Sequence, residues 1–115
     1  MANGQELEQR FQDCMPLFIA LGDEMRLAIL AALTRAVRSG RSGGLNVNEI
    51  TCQTSLSRPA ISHHLKILRE SGLVEVQRSG TSNYYRPALL SVTRELMKLG
   101  NLVEDFFSQE TLREP

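Results

Sequence analysis

Apolar residues recur along this chain in two periods, and the change between them divides it. Leu7, Phe11, Cys14 and Phe18 are spaced three or four apart, which predicts a helix over 5–21, with Pro16 marking a kink or a break. Gly22 ends it. Asp23 is placed to cap a second helix, E-M-R-L-A-I-L-A-A-L-T-R-A-V-R, with Arg35 and Arg38 in its last turn, where cations suit the helix dipole. Ser39 to Gly44, S-G-R-S-G-G, predicts a flexible loop. Asn46 and Glu49 form a capping box for a short helix over 47–54 whose Ile50 faces inward. Ser57 caps the next helix, Pro59 is tolerated in its first turn, and Gly72 closes it in a left-handed conformation. Beyond Gly72 the period shifts: Leu73 to Arg78 alternate in part, S-G-T-S turns, N-Y-Y-R makes a second strand, and Pro87 stops it. Tyr84 and Tyr85 therefore face opposite ways, one inward. From Leu89 a last helix carries Val92, Leu96, Leu99, Val103 and Phe106 at alternating spacings of four and three, a heptad seam.

The expected fold is mainly α with a small β-hairpin, in the order α-α-α-α-β-β-α. Its 115 residues make one domain. Within it, two helices joined by a tight turn over 47–71 are followed directly by a hairpin over 73–87, the arrangement of a winged helix-turn-helix. The helix after Ser57 explains why. At 100° per residue Ile61, Leu65 and Leu68 form a narrow apolar arc, while Pro59, Ser62, His63 and Lys66 point the other way. The major groove of B-DNA, about 12 Å wide, admits one such helix. Ser62 and His63 are placed for base contact, Arg58 for guanine or a phosphate, and Lys66 for the DNA backbone. Arg78 and Arg86 are expected to flank the hairpin tip and meet phosphate or the minor groove. His64, nearer the apolar flank, is read as structural.

Formal net charge is zero, but five Lys and Arg stand against two Asp and Glu over 55–87, whereas both ends are acidic. A phosphate-facing centre fits that distribution. No paired carboxylates and no nucleophile with a neighbouring base stand out, and S-G-R-S-G-G lacks the lysine and spacing of a P-loop, so an enzyme is not expected. No apolar run approaches a membrane span, the longest being Leu27 to Leu33, and M-A-N-G-Q-E-L-E lacks a signal-peptide pattern. A soluble cytoplasmic protein is the expectation. Cys14 and Cys52 are read as buried thiols.

L-G-D-E-M-R-L-A-I-L (Leu21 to Leu30), N-E-I, S-R-P-A-I-S-H-H-L-K-I-L-R-E-S-G-L-V (Ser57 to Val74) and Y-Y-R (Tyr84 to Arg86) together resemble the ArsR/SmtB family of bacterial transcriptional repressors over residues 15–87. The resemblance implies a homodimer that binds palindromic operators in double-stranded DNA and releases them when an inducer binds. It also implies dimerisation through the terminal elements, 5–21 and 89–108, by way of Leu7, Phe11, Cys14, Phe18, Val92, Leu96, Leu99, Val103 and Phe106; packing of the last helix on the first within one chain is the alternative. Many members carry C-V-C at the start of the third helix for thiophilic metals, where this chain has Asn46, Val47 and Asn48, and amides are poor ligands for soft metals. Residues 88–115 hold no His or Cys for zinc. Neither usual metal site, and no cofactor, is therefore expected. Two alternatives stay open: a thiol-, redox- or metal-responsive repressor using Cys14 or Cys52, and a winged-helix protein-interaction module that does not bind DNA.

Overall fold

Helix caps, one proline and one close backbone approach set the architecture. The computed structural model describes residues 3–113, with side chains as far as residue 108. In order come α1 (Gly4–Asp13), α2 (Met15–Leu21), α3 (Glu24–Arg38), α4 (Val47–Gln53), α5 (Arg58–Glu70), β1 (Val74–Ser79), β2 (Ser82–Pro87) and α6 (Leu89–Arg113). The one helix expected over 5–21 is thus two. Pro16 lies in the first turn of α2 and has no N–H to give the carbonyl four residues back, so the ladder stops at Cys14. The last helix also runs past the expected 108.

Side-chain caps pin the starts of α1, α3 and α4. Asn3 accepts from Glu6 N at 2.8 Å, and Asp23 accepts from Met25 N at 2.8 Å and Arg26 N at 3.1 Å. At α4 the capping box is complete, with Asn46 Oδ1 accepting from Glu49 N at 2.9 Å and Asn46 N donating to Glu49 Oε1 at 3.1 Å. Arg41 then donates to Glu49 Oε2 at 2.7 Å, tying the S-G-R-S-G-G loop to α4.

The main core lies between α3, α5 and the hairpin base. Ile29 and Leu33 of α3, Ile50 of α4, and Ile61, Leu65 and Leu68 of α5 are buried in it, with Leu45, Leu73, Val74 and Val92 closing its edges. A second cluster of Leu7, Cys14 and Leu99, flanked by Leu102, Val103 and Phe106, packs α1 against α6. Five residues expected at a dimer seam therefore lie in that cluster, and Val92 sits in the main core. Helix α6 packs on α1 within one chain, because the heptad arc that looks free in sequence meets Leu7 and Cys14 of its own chain. Phe11, Phe18 and Leu96 remain exposed, at 46%, 40% and 36%. Cys52 is exposed, not buried as expected, because it lies on the solvent side of α4, and neither cysteine is in a disulfide.

The chain is drawn out to 62 × 26 × 21 Å with a radius of gyration of 17.8 Å, against about 13 Å for a compact domain of this length. Helix α6 accounts for this. No helix of the described residues is long and apolar enough to cross a membrane.

The hairpin is antiparallel, with Val76 opposite Tyr85 and Ser79 opposite Ser82. Gly80 at φ +64° is the single positive-φ residue of its two-residue turn, as a type II′ connection requires. On its other side Tyr85 pairs with Leu45, donating to Leu45 O at 2.8 Å and accepting from Leu45 N at 2.9 Å. That second pairing brings Gly44 against β2: a Cβ there would stand 2.2 Å from Tyr85 O, at a φ of +92°.

Gly44→Ala should therefore cost about 2 kcal/mol or more, read as a lowered urea midpoint; an unchanged midpoint would show that the hairpin base yields. The caps make a second prediction. Arg26 N–H holds Asp23 below the usual carboxylate range, and the Asn46 N–H, with Arg41, does the same for Glu49. Both pKa values are lower folded than unfolded, so their stabilisation is present above the ordinary carboxylate range and is lost as pH falls through the lowered values. A double Asp23→Asn, Glu49→Gln variant, which keeps acceptors at both caps, should lose less stability than wild type between about pH 5 and pH 2; parallel urea midpoints across that range would refute it.

Candidate nucleic-acid interface

The front of α5 is built by what its back must do. Ile61, Leu65 and Leu68 are at most 1% exposed, so the opposite arc is turned outward, and Arg58, Pro59, Ser62, His63 and Lys66 are all exposed. Ser57 Oγ accepts from Ala60 N at 3.3 Å, which fixes where the helix begins. The turn before it is closed by Thr54 Oγ1, donating to Ile50 O at 3.2 Å and accepting from Leu56 N at 3.4 Å.

Charges sort into two groups. Arg10, Arg26, Arg41, Arg86 and Lys98 each face a carboxylate. Among the described residues no carboxylate pairs with Arg58, Lys66, Arg69 or Arg78, which lie along α5 and near the hairpin tip. Arg35 and Arg38 are similarly unpaired at the end of α3. A chain of zero net charge thus presents unneutralised cations on the face that carries Ser62 and His63.

Strand register separates the two hairpin arginines. Arg78 stands opposite Asn83, next to the tip, whereas Arg86 stands opposite Glu75 at the base. Side chains alternate along a strand, so Arg78 shares a face with Val76 and Tyr85, and Arg86 lies on the other. Arg86 Nε is 2.9 Å from Glu75 Oε1, an ion pair without hydrogen-bond alignment. The expectation that Arg86 flanks the tip is therefore corrected: the turn lies at Ser79 to Ser82 as expected, and Arg86, four residues beyond Ser82, falls at the far end of the hairpin. Tyr85 is the inward tyrosine, packed on the main core.

Between α4, the start of α5 and the hairpin tip lies a polar cleft of about 280 Å³, lined by Asn46, Asn48, Arg58, Ser62, Thr81 and Asn83 among others. In the sequence Asn46 reads as a cap, Asn46 and Asn48 as poor ligands where relatives carry a metal site, and Thr81 and Asn83 only as parts of the turn and second strand, none of them with an interface role. Nothing local marks them, because they come together only when the hairpin folds beside α5.

His63 and His64 diverge, with ring centroids 5.7 Å apart and planes tilted by 58°. His63 is exposed, while His64 Nδ1 lies 3.3 Å from Arg26 Nη1. Arg26 was not singled out from the sequence. It is only 9% exposed, and it donates through Nε to Ala20 O at 2.8 Å and through Nη2 to Ile19 O at 3.0 Å. Those carbonyls lie in the last turn of α2, where helical partners run out; Ile19 O also accepts from Gly22 N at 3.3 Å. Among the described residues no group of three His, Cys, Asp or Glu side chains is placed to hold a metal ion.

Similarity to known proteins covers this same region. The profile of the bacterial regulatory protein, arsR family, matches residues 23–76. An uncharacterized HTH-type transcriptional regulator of Methanocaldococcus jannaschii is 34% identical over 77 residues, 67% of this chain and 80% of that protein. The transcriptional activator HlyU of Vibrio cholerae is 32% identical over 83 residues, covering 72% of this chain and 70% of its own. Among solved structures, an ArsR-like transcriptional regulator from Rhodococcus sp. RHA1 superposes with a TM-score of 0.75 at 25% identity, over 89% of this chain and 87% of that one.

Proposed function

The chain belongs to the ArsR family of bacterial transcriptional regulators, which bind DNA and are not enzymes, and from that premise we propose that it is a cytoplasmic homodimeric repressor of an imperfect palindromic operator. In this reading the single domain divides into a reading unit over 47–71, a wing over 73–87, and dimerisation elements at the two ends. The observation that carries it is the division of α5 into a fully buried apolar back and an exposed front whose cations are unpaired. Ser62 and His63 read base edges. Arg58 and Pro59 stand at the helix start over the polar cleft, Lys66 meets phosphate, and Arg78 extends the contact at the wing. Arg86, ion-paired at the hairpin base, stabilises the wing and takes no part in the contact.

Release follows binding of an inducer of unassigned chemistry. Asn46, Val47 and Asn48 offer no thiolate, so the inducer is not a soft metal held at that position. Cys14 is buried between α1 and α6, and Cys52 is exposed on α4, an arrangement that does not favour a paired-thiol sensor.

Two copies are needed because reading helices must enter successive major grooves about 34 Å apart. The surface that joins them is the apolar area one chain leaves uncovered: Phe11, Phe18 and Leu96, with Met15, Ile19 and Met97 beside them. At about 100° per residue, Leu96 stands at the rim of the arc that Val92 and Leu99 bury, and Met97 is turned away from it. Exposed apolar area of this extent marks an interaction surface.

Selection of duplexes from a random pool should yield a two-fold-symmetric site. On it, His63→Ala should relax preference at its base pair by about 1–3 kcal/mol. Lys66→Ala should weaken every duplex alike and lower the salt slope by about one. Equal effects of both changes on selected and random DNA would contradict these roles. For assembly, a Phe18→Glu, Leu96→Glu double variant should sediment as a monomer and lose at least about tenfold in affinity for the full site; a variant that remains dimeric would place the interface elsewhere.

A further inference from the structure

We infer that Arg26 acts through His64 as a positioning residue for α5, fixing the rotation of that helix about its own axis and so the direction in which Ser62 and His63 face. The inference rests on the DNA-binding reading of α5. Ile61, Leu65 and Leu68 hold the helix to the core, but apolar contact has no preferred direction. Three side chains on one arc set depth and tilt more firmly than spin. A hydrogen bond is directional, and the one from Arg26 Nη1 to His64 Nδ1, at 3.3 Å, reaches α5 from outside that arc.

Its donor is itself immobilised. Arg26 N is bound by the Asp23 cap, Nε and Nη2 are held by the carbonyls of Ala20 and Ile19, and Asp23 Oδ2 lies 3.9 Å from Nη1. A guanidinium is planar, so two fixed N–H directions determine the third. Arg26 thus refers α5 to both the end of α2 and the start of α3. The guanidinium has no lone pair, so His64 accepts through Nδ1 and its ring proton sits on Nε2. The lever is short but sufficient: with side chains at a radius of about 5–6 Å, a 10° turn of α5 moves a tip by about 1 Å, beyond the placement tolerance of a directional contact. His64 adjoins His63 and lies two residues from Ser62, so a turn at one is a turn at the others.

The test uses the full chain with His64→Leu, His64→Asn and Arg26→Lys, since Asn carries an oxygen near the place of Nδ1. Affinity is measured for the selected duplex and a scrambled one, with melting followed in parallel. His64→Leu should lose about tenfold or more on the selected duplex while the scrambled duplex and its salt slope stay within about twofold. His64→Asn should recover most of the loss. Nitrogen NMR of the His64 ring should show protonated Nε2 and a bare Nδ1 in wild type, a pattern altered in Arg26→Lys. Full affinity of His64→Leu for the selected duplex, or equal losses on both duplexes, would overturn the inference. If wild type fails to distinguish the two duplexes, the DNA reading itself falls. Positioning is then judged by the ring signature alone, a proton on Nδ1 in wild type refuting it.

Discussion

One thirteen-residue helix, α5, has to serve as both wall and tool. Its back is the floor of the main core, where burial of Ile61, Leu65 and Leu68 is worth about 1.5–3 kcal/mol each, and no shift along its axis could bring a second set of side chains into those places. Its front is consequently set by exclusion. Everything that packs on α5 serves this one placement: α3 from behind, α4 through the turn at Thr54, and the hairpin from the side.

Electrostatics follows the same division. Arginines with an architectural task are paired, as Arg41 to Glu49 and Arg86 to Glu75, or buried against carbonyls, as Arg26. Others, Arg58 and Arg69 with Lys66 among them, are left to solvent on the α5 face. Zero net charge therefore describes the sum and not the surface, and a polyanion approaching that face meets cations whose counter-charges lie elsewhere in the fold.

What the sequence discloses is what is decided within a few residues. Asp23, Ser57 and the Asn46–Glu49 box cap as expected because a cap and its N–H lie within one turn, and Gly72 has the left-handed φ foreseen for it, at +79°. The winged helix-turn-helix was legible for the same reason. Contacts between distant segments were not. Arg26 sits in an apolar run that gives no hint of Ile19, Ala20 or His64. The partner of Arg86 depends on hairpin register, and the seam on α6 could not disclose that Leu7 and Cys14 already cover part of it. The front of α5 was readable because periodicity alone divides a helix; the cleft beside it needed three elements in place.

The double pairing of Tyr85 gives the hairpin a mechanical character. Set opposite Val76 on one edge, hydrogen-bonded to Leu45 on the other, and closed below by Ala88 N donating to Leu73 O at 3.0 Å, β2 is clamped at its root while the turn at Gly80 and Thr81 hangs clear. Such a member is a cantilever, in which compliance grows toward the unsupported end. Its extremity can follow a furrow whose breadth varies from place to place, and the strain of doing so dies away before it reaches the clamped root.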